Sequence, residues 1–302
     1  TAVDGINYTL AHASDKGVLG NPKIESMWPM CVYFRVLEAY YERTGDQRVI
    51  DALHKHYLNF TSEEIGNWRN IVSLEGMLWV YGKTGDRKLL ERCEDAWNAG
   101  TFGDLVPETC RNDERLVMHG VTCAEELKLP MLLYAYTGNE MYRDLALNAE
   151  HKLTRDHMLP DGVPAGAEAL VGNENIINSH ETCDITDYTW SLIKFLTVTG
   201  DAKWADKIER AVFNAGPGAI TKDFKSLQYF SSVNQVIATG NSNHNEFFHG
   251  STWMAFRPTH ETECCSGNVH RFMPDFTAYT WLRGNHDEIT AALYAPTTYR
   301  FK

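Results

Sequence analysis

Apolar residues recur along the chain at helical spacing, in runs that alternate between two characters. Ile71, Leu74, Leu78 and Tyr81 fall on one helical face, as do Val32, Val36, Leu37 and Tyr40, and Ile185, Leu192 and Leu196. After each such run comes a more polar one, such as D-R-K-L-L-E-R-C-E-D-A-W from Asp86. Between the two stands a recurring phrase: R-T-G-D at 43–46, K-T-G-D at 83–86, Y-T-G-N at 136–139 and V-T-G-D at 198–201. It predicts a tight helix–helix corner. Glycine takes the left-handed position that ends the first helix, and Asp or Asn caps the next through its side chain. An apolar inner helix followed by a half-solvated outer one, repeated, predicts a toroid or solenoid of helical hairpins. The glycines lie 40, 53 and 62 residues apart. Such lengthening intervals favour a toroid with loops inserted on one face, where a site would be built.

Two regions break the pattern. Residues 155–180 include D-G-V-P-A-G-A-E-A-L-V-G-N-E-N, a Gly-rich loop. Residues 215–262 include K-S-L-Q-Y-F-S-S-V-N-Q-V-I-A-T-G, which predicts a short β hairpin, followed by a stretch rich in Asn and His. Each leads into an unusual phrase at a helix start: S-H-E-T-C-D at 179–184 and E-T-E-C-C-S-G-N at 261–268.

Composition narrows the function. The chain has 302 residues, 43% hydrophobic and 23% charged, enough for a sizeable core. A net charge of −12 without a Lys/Arg block argues against nucleic acid or an anionic membrane as partner. No apolar run approaches the roughly 18 residues of a membrane span. Eight Trp and fourteen Tyr suit a large helical core and equally a cleft that stacks on sugars. The start T-A-V-D and the strand-like tail read as a piece of a longer protein. Signals for a secreted, periplasmic or cytoplasmic destination would then lie outside it. The expected division is a helical catalytic domain over 1–285 and the start of a β-sandwich over 286–302.

Seven cysteines at irregular spacing do not make a disulfide framework. Cys31, Cys93 and Cys123 lie in helical patterns, as buried inert thiols do. The others carry the chemistry. Glu181 and Cys183 are two apart, and Cys264 and Cys265 are adjacent. Three thiolates and a carboxylate suit tetrahedral zinc. A vicinal disulfide and unrelated buried cysteines are the alternatives. A helix N-terminus lowers the pKa of a nearby thiol and zinc lowers it further, so a zinc-bound thiolate is a candidate nucleophile as well as a ligand.

The phrases G-A-E-A (166–169), H-E-T-C (180–183) and E-C-C-S-G-N (263–268) together resemble glycoside hydrolase family 127, the β-L-arabinofuranosidase family. The resemblance implies an all-α (α/α)6 barrel followed by β-sandwich domains. Four hairpins and part of a fifth are countable here, so the first hairpin or so is expected outside the chain. It implies zinc held by Glu181, Cys183, Cys264 and Cys265, with Cys264 as nucleophile and Glu168 as general acid/base. The reaction would be retaining hydrolysis that removes a terminal β-L-arabinofuranoside-like sugar from plant oligosaccharides or polysaccharides. Asp184 and Asp187 stand where the family often has small or apolar residues, which leaves the sugar open. His119, His180, His270, Trp28 and Trp253 are candidates for contacting substrate or orienting ligands. Trp68 is expected in the core, and Asp184 as a helix cap. Rival readings are a hydrolase for an acidic deoxy-sugar of pectin, with Arg257 or Arg271 meeting its carboxylate, a non-catalytic carbohydrate-binding toroid with structural zinc, and a thiol redox or metal-sensing protein.

Overall fold

Each T-G-D or T-G-N phrase closes one helix and opens the next. The structure, a computed structural model, describes residues 1–20, 26–100, 105–175, 177–239, 253–260, 264–284 and 288–300. Gly45, Gly85, Gly138 and Gly200 are left-handed, with φ of 72°, 70°, 70° and 68°. The N–H of each returns to the carbonyl four residues back. Asp46, Asp86, Asn139 and Asp201 then accept the N–H two residues on and cap the following helix. The threonine, to which the sequence reading assigns no role, joins the two halves. The hydroxyls of Thr44, Thr84, Thr137 and Thr199 donate to the carbonyl four residues earlier. Each also accepts the N–H of its capping residue. One side chain thus satisfies a carbonyl and an amide that a helix end would leave unpaired.

The corners join Trp28–Thr44 to Gln47–Tyr57, Leu74–Thr84 to Arg87–Ala99, Lys128–Thr137 to Glu140–His157, and Thr182–Thr199 to Ala202–Arg210. Burial follows the predicted alternation at the last corner and reverses it at the first, where Trp28–Thr44 buries two residues and the shorter Gln47–Tyr57 buries Val49, Ile50, Leu53, His56 and Tyr57. Thr182–Thr199 is buried along most of its length, whereas Ala202–Arg210 buries Trp204, Ala205 and Ile208. One face differs from expectation. Trp28–Thr44 buries Phe34 and Leu37, while Val36 is 43% exposed. Phe34 and Leu37, three apart, set the buried stripe, and Val36 lies about 100° round the helix from Leu37.

The chain forms two compact units, Thr1–Arg111 with Leu132–Leu145, and Asn112–Met131 with Ala146–Lys302. The first contains three of the corners and a core that includes Leu37, Leu53, Leu74, Leu78 and Leu89. The second contains the fourth corner and both irregular regions. In it, Gly166–Ala167 pairs antiparallel with Ala169–Leu170, so the chain reverses at Glu168. The hairpin expected after residue 215 is reduced to one bridge, Ile220 to Leu227. Phe230–Ser231 pairs instead with His180–Glu181, antiparallel. Leu227, Tyr229 and Phe230 are all buried, so this segment lies inside the unit and finds its strand partner there. Trp281–Arg283 pairs with Ile289–Ala291 in a hairpin that spans the expected boundary at 286. Among the described residues no helix is long and apolar enough to cross a membrane.

Candidate active site and metal centre

Glu168 stands at the tip of its hairpin with φ of +65°, a left-handed conformation that costs a non-glycine residue energy. The surroundings hold it there. Gly120 N–H donates to the Glu168 carbonyl at 2.7 Å, and His119 bridges Ala169. Gly166 of the G-A-E-A phrase has a steric reason: a Cβ there would stand 2.8 Å from Asp184 Oδ2 and 3.2 Å from Gly120 Cα.

The Glu168 carboxylate meets two partners. His119 Nε2 lies 3.1 Å from Oε2, and the Tyr229 hydroxyl donates to Oε1 at 2.9 Å. His119 is also the N-cap of Gly120–Glu126, its Nδ1 accepting Thr122 N–H at 3.1 Å. That bond places the proton of the neutral ring on Nε2, which therefore donates to Glu168. The Tyr229 oxygen also lies 3.1 Å from Cys264 Sγ. Carboxylate and sulfur, both touching one oxygen, stand within about 6 Å of each other, which accommodates the roughly 5–5.5 Å of retaining pairs.

Glu181, Cys183, Cys264 and Cys265 converge, their donor atoms all within 4.8 Å of one another. Glu181 is the N-cap residue of Thr182–Thr199 and Cys183 lies in its first turn; Cys264 and Cys265 open Cys264–Ala278. Cys183 Sγ and Cys265 Sγ are 3.2 Å apart. All three cysteines are free thiols, so the vicinal disulfide is not formed. Glu181 N–H donates to Asp184 Oδ2 at 3.2 Å, which makes Asp184 a helix cap. Both carboxylate oxygens of Glu181 are buried and lack a well-formed hydrogen bond, although the Asp184 N–H and the Tyr229 hydroxyl stand beside the carboxylate.

Burial and neighbouring charge separate these groups. Burial pushes the Glu181 carboxyl well above the usual range, Asp184, Glu168 and Cys264 push it further, and the Tyr229 hydroxyl pulls the other way. Burial likewise raises Cys183 and Cys265. Cys264 is held low, because Cys183 and Cys265 donate to its sulfur; burial opposes this, and the Tyr229 hydroxyl adds to it. Tyr229 itself is kept protonated, by burial first and then by Glu181 and Cys265. Glu181, Cys183 and Cys265 are buried, while Cys264 is exposed. Of the three cysteines it is the one open to solvent. Buried acidic donors packed together, one a carboxylate without a well-formed hydrogen bond, fit a divalent cation. Below them lies an apolar cluster that includes Val121, Leu227, Phe230 and Met254.

The other expected residues scatter. His180 is fully buried, with Nε2 2.9 Å from Asp161 Oδ2. Burial pulls its pKa down, but the Asp161 carboxylate outweighs that and the net direction is up. Its bond to Asp161 anchors the short strand His180–Glu181. Trp253 is 2% exposed, packed against Tyr229 at 4.1 Å and Phe230 at 5.3 Å. It supports the site from below and offers no sugar-stacking face. His270 is exposed on Cys264–Ala278, beside a hollow lined by Ser266, Met273 and Pro274. In the first unit, Trp28 packs against Trp68 at 5.9 Å with the rings tilted by 54°, and the Arg69 guanidinium lies over both. Trp68 is 53% exposed and so is not the core residue expected. Arg271 is occupied, its Nη2 3.1 Å from both Asp187 oxygens. Residues 261–263 and the Asn- and His-rich stretch at 240–250 lie outside the described residues. Tyr229 was not predicted; its only signal was membership of the L-Q-Y-F run.

The profile of the β-L-arabinofuranosidase, GH127 catalytic-domain family matches residues 14–278. No curated protein matches the sequence. A solved GH127 β-arabinofuranosidase superposes with a TM-score of 0.70 at 18% identity, over 97% of this chain and 50% of that one. A GH127 β-L-arabinofuranosidase from Geobacillus stearothermophilus T6 gives 0.69 at 18% identity, over 97% and 53%. A GH76 α-1,6-mannanase of Salegentibacter sp. HEL1_6, in an inactive variant, gives 0.53 at 17% identity, over 75% and 72%. The chain thus spans about half the length of the GH127 structures it matches. The fold is all-α, of the (α/α)6-barrel type that the family resemblance implies. Matched over 14–278, the chain belongs to the β-L-arabinofuranosidase GH127 catalytic-domain family, a family of glycoside hydrolases.

Proposed function

We propose that this chain is the catalytic part of a retaining glycoside hydrolase that releases a terminal β-L-arabinofuranoside-like sugar from plant glycans. The observation that carries the reading is the Tyr229 hydroxyl, in reach of both the Glu168 carboxylate and the exposed Cys264 sulfur. A phenol has one proton to donate. At the outset Glu168 is protonated and gives its hydrogen bond to the Tyr229 oxygen, while Tyr229 donates to the Cys264 thiolate. Cys264 attacks the anomeric carbon, the C–O bond breaks, and Glu168 delivers its proton to the leaving oxygen. The products of this half-reaction are an alcohol, a thioglycoside on Cys264 and a Glu168 carboxylate. Tyr229 now donates to that carboxylate, as does His119. In the second half a water attacks the same carbon and loses its proton to Glu168. The C–S bond breaks and the thiolate returns to the Tyr229 proton.

Glu181, Cys183, Cys264 and Cys265 would hold the metal, for which zinc best suits three sulfurs and one oxygen. When bound, zinc supplies positive charge that keeps the thiolates deprotonated and makes the Cys264 sulfur a better leaving group. Arg271 is paired with Asp187, which disfavours its use on an acidic sugar.

The test is a screen of p-nitrophenyl furanosides and pyranosides on the full-length protein. The best substrate should be an arabinofuranoside. Cys264→Ser should abolish turnover. Glu168→Gln should accumulate a thioglycosyl enzyme, visible as a mass increase of one sugar, because nitrophenolate leaves without an acid but water still needs a base. Wild-type activity in both variants would remove the assignment.

A further inference from the structure

Of the three sulfurs in the donor set, two have a polar side chain assigned to them. Cys264 has the Tyr229 hydroxyl. Cys183 has Asn268, whose Nδ2 donates to Cys183 Sγ at 3.2 Å. The amide orientation is fixed by its other end. Asn268 Oδ1 lies 2.9 Å from Arg271 Nη2, and a guanidinium can only donate, so the oxygen must face it and the nitrogen must face the sulfur. Arg271 is held in turn by Asp187, with Nη2 3.1 Å from each carboxylate oxygen and the side chains 14% and 3% exposed. The Asn268 main chain is pinned as well, its carbonyl accepting the Thr186 hydroxyl at 3.2 Å. Cys183, Thr186 and Asp187 lie on Thr182–Thr199, while Asn268 and Arg271 lie on Cys264–Ala278. The relay therefore runs from Cys183 across to the second helix and back to the first.

We propose that Asn268, oriented by the Arg271–Asp187 pair, is a positioning residue that sets the donor strength of the Cys183 sulfur toward the metal. The inference rests on the metal reading above. A sulfur that accepts an N–H bond gives less electron density to a metal, which leaves the metal a stronger acceptor for its remaining ligands. The N–H also stabilises a buried thiolate. Cys183 is thereby kept as a holding ligand, while Cys264, in contact with a hydroxyl and open to solvent, is left for chemistry. The two aspartates of the E-T-C-D-I-T-D phrase then have separate tasks: Asp184 caps the helix and Asp187 anchors the relay.

The test uses the metal-free protein loaded with Zn2+ against a chromophoric chelator, and with Co2+ for its thiolate-to-metal charge-transfer band. Asn268→Ala should lower affinity about tenfold, in line with other groups that orient metal ligands, and move the band to longer wavelength. Asn268→Asp is nearly isosteric and keeps a partner for Arg271, but turns an acceptor toward the sulfur. It should lose more affinity than the alanine variant. Asp187→Asn keeps Asn268 and loosens its hold, so its loss should be smaller, with the same direction of band shift. A merely structural asparagine would give the opposite order, with Asn268→Asp binding like wild type. That order, or an unmoved band in Asn268→Ala, overturns the proposal. A wild-type protein that takes up neither metal overturns the metal reading as well, so the wild-type arm separates the two failures.

Discussion

Replacing Glu181 with Gln should change stability in opposite directions with and without metal. Glu181 is 1% exposed, neither carboxylate oxygen has a well-formed hydrogen bond, and the three acidic groups that face it outweigh the Tyr229 hydroxyl beside it. Without a cation the carboxyl is a liability, whether it stays charged or takes up a proton that solution at pH 7 holds weakly. An unpaired buried polar group costs about 1–3 kcal/mol, and a charged one more. Gln has nearly the same shape, carries no charge and leaves the Asp184 cap intact, since that cap uses the Glu181 backbone N–H. The metal-free variant should therefore be the more stable protein, by roughly 2–10 °C in Tm on the usual scaling. With zinc the order reverses. A ligand at a thousand times its Kd adds about 4 kcal/mol to the wild type, and the variant, which lacks the anionic oxygen donor, should gain much less. The assay is a pair of thermal melts for each protein, one in chelator and one in excess Zn2+, which should cross. Two results would refute the reasoning: a metal-free variant that melts below metal-free wild type, or a variant that zinc raises as far as it raises wild type.

Three further outcomes follow from other parts of the chain. Tyr229→Phe keeps the ring packed on Phe230 and Trp253 but removes the donor to Glu168 and Cys264; hydrogen bonds to charged groups are worth about 1.5–3 kcal/mol, so kcat should fall roughly 10- to 100-fold with little change in Tm, and an unchanged kcat would take the phenol out of the reaction. His56 is buried with Nδ1 accepting Leu19 N–H at 3.0 Å, and burial pulls its pKa down to about 4. The unfolded chain then takes up a proton below about pH 6.5 that the folded chain refuses, so stability is full above that pH and falls by roughly 3 kcal/mol toward pH 4; His56→Gln, which keeps an acceptor, should flatten the decline in urea unfolding, and an equal slope would argue against it. Thr199→Val should lower Tm by several degrees, because it strips the Phe195 carbonyl and the Asp201 amide of their shared hydroxyl; an unchanged melt would mean that water replaces it.

What could be read from sequence, and what could not, divides by the range of the interaction. The corners are local: Gly45 and Asp46 act within a few residues, so their types announce the geometry. The threonine is equally visible, present in all four phrases, but glycine and cap suffice to make a turn, so the hydroxyl's two hydrogen bonds, to carbonyl and amide, show only in the folded corner. The ligand phrases were legible because helix starts present consecutive side chains at one place, and cysteines and a glutamate in such places have few other uses. Tyr229 was beyond reach. Its position depends on Phe230–Ser231 pairing with His180–Glu181, a contact between segments about fifty residues apart with nothing periodic to mark it. The burial of Trp253 and His180 was not legible for a related reason. Type and proximity to a motif indicated that they belong to the site, but not on which side of it they stand. Both lie behind the donors, one packing under Tyr229 and the other tied to Asp161. Residue type marks a site's neighbourhood, whereas burial decides which members meet a substrate. By that measure Cys264, exposed between buried Cys183 and Cys265, is distinguished from its neighbours by the fold, since its chemistry alone is identical to theirs.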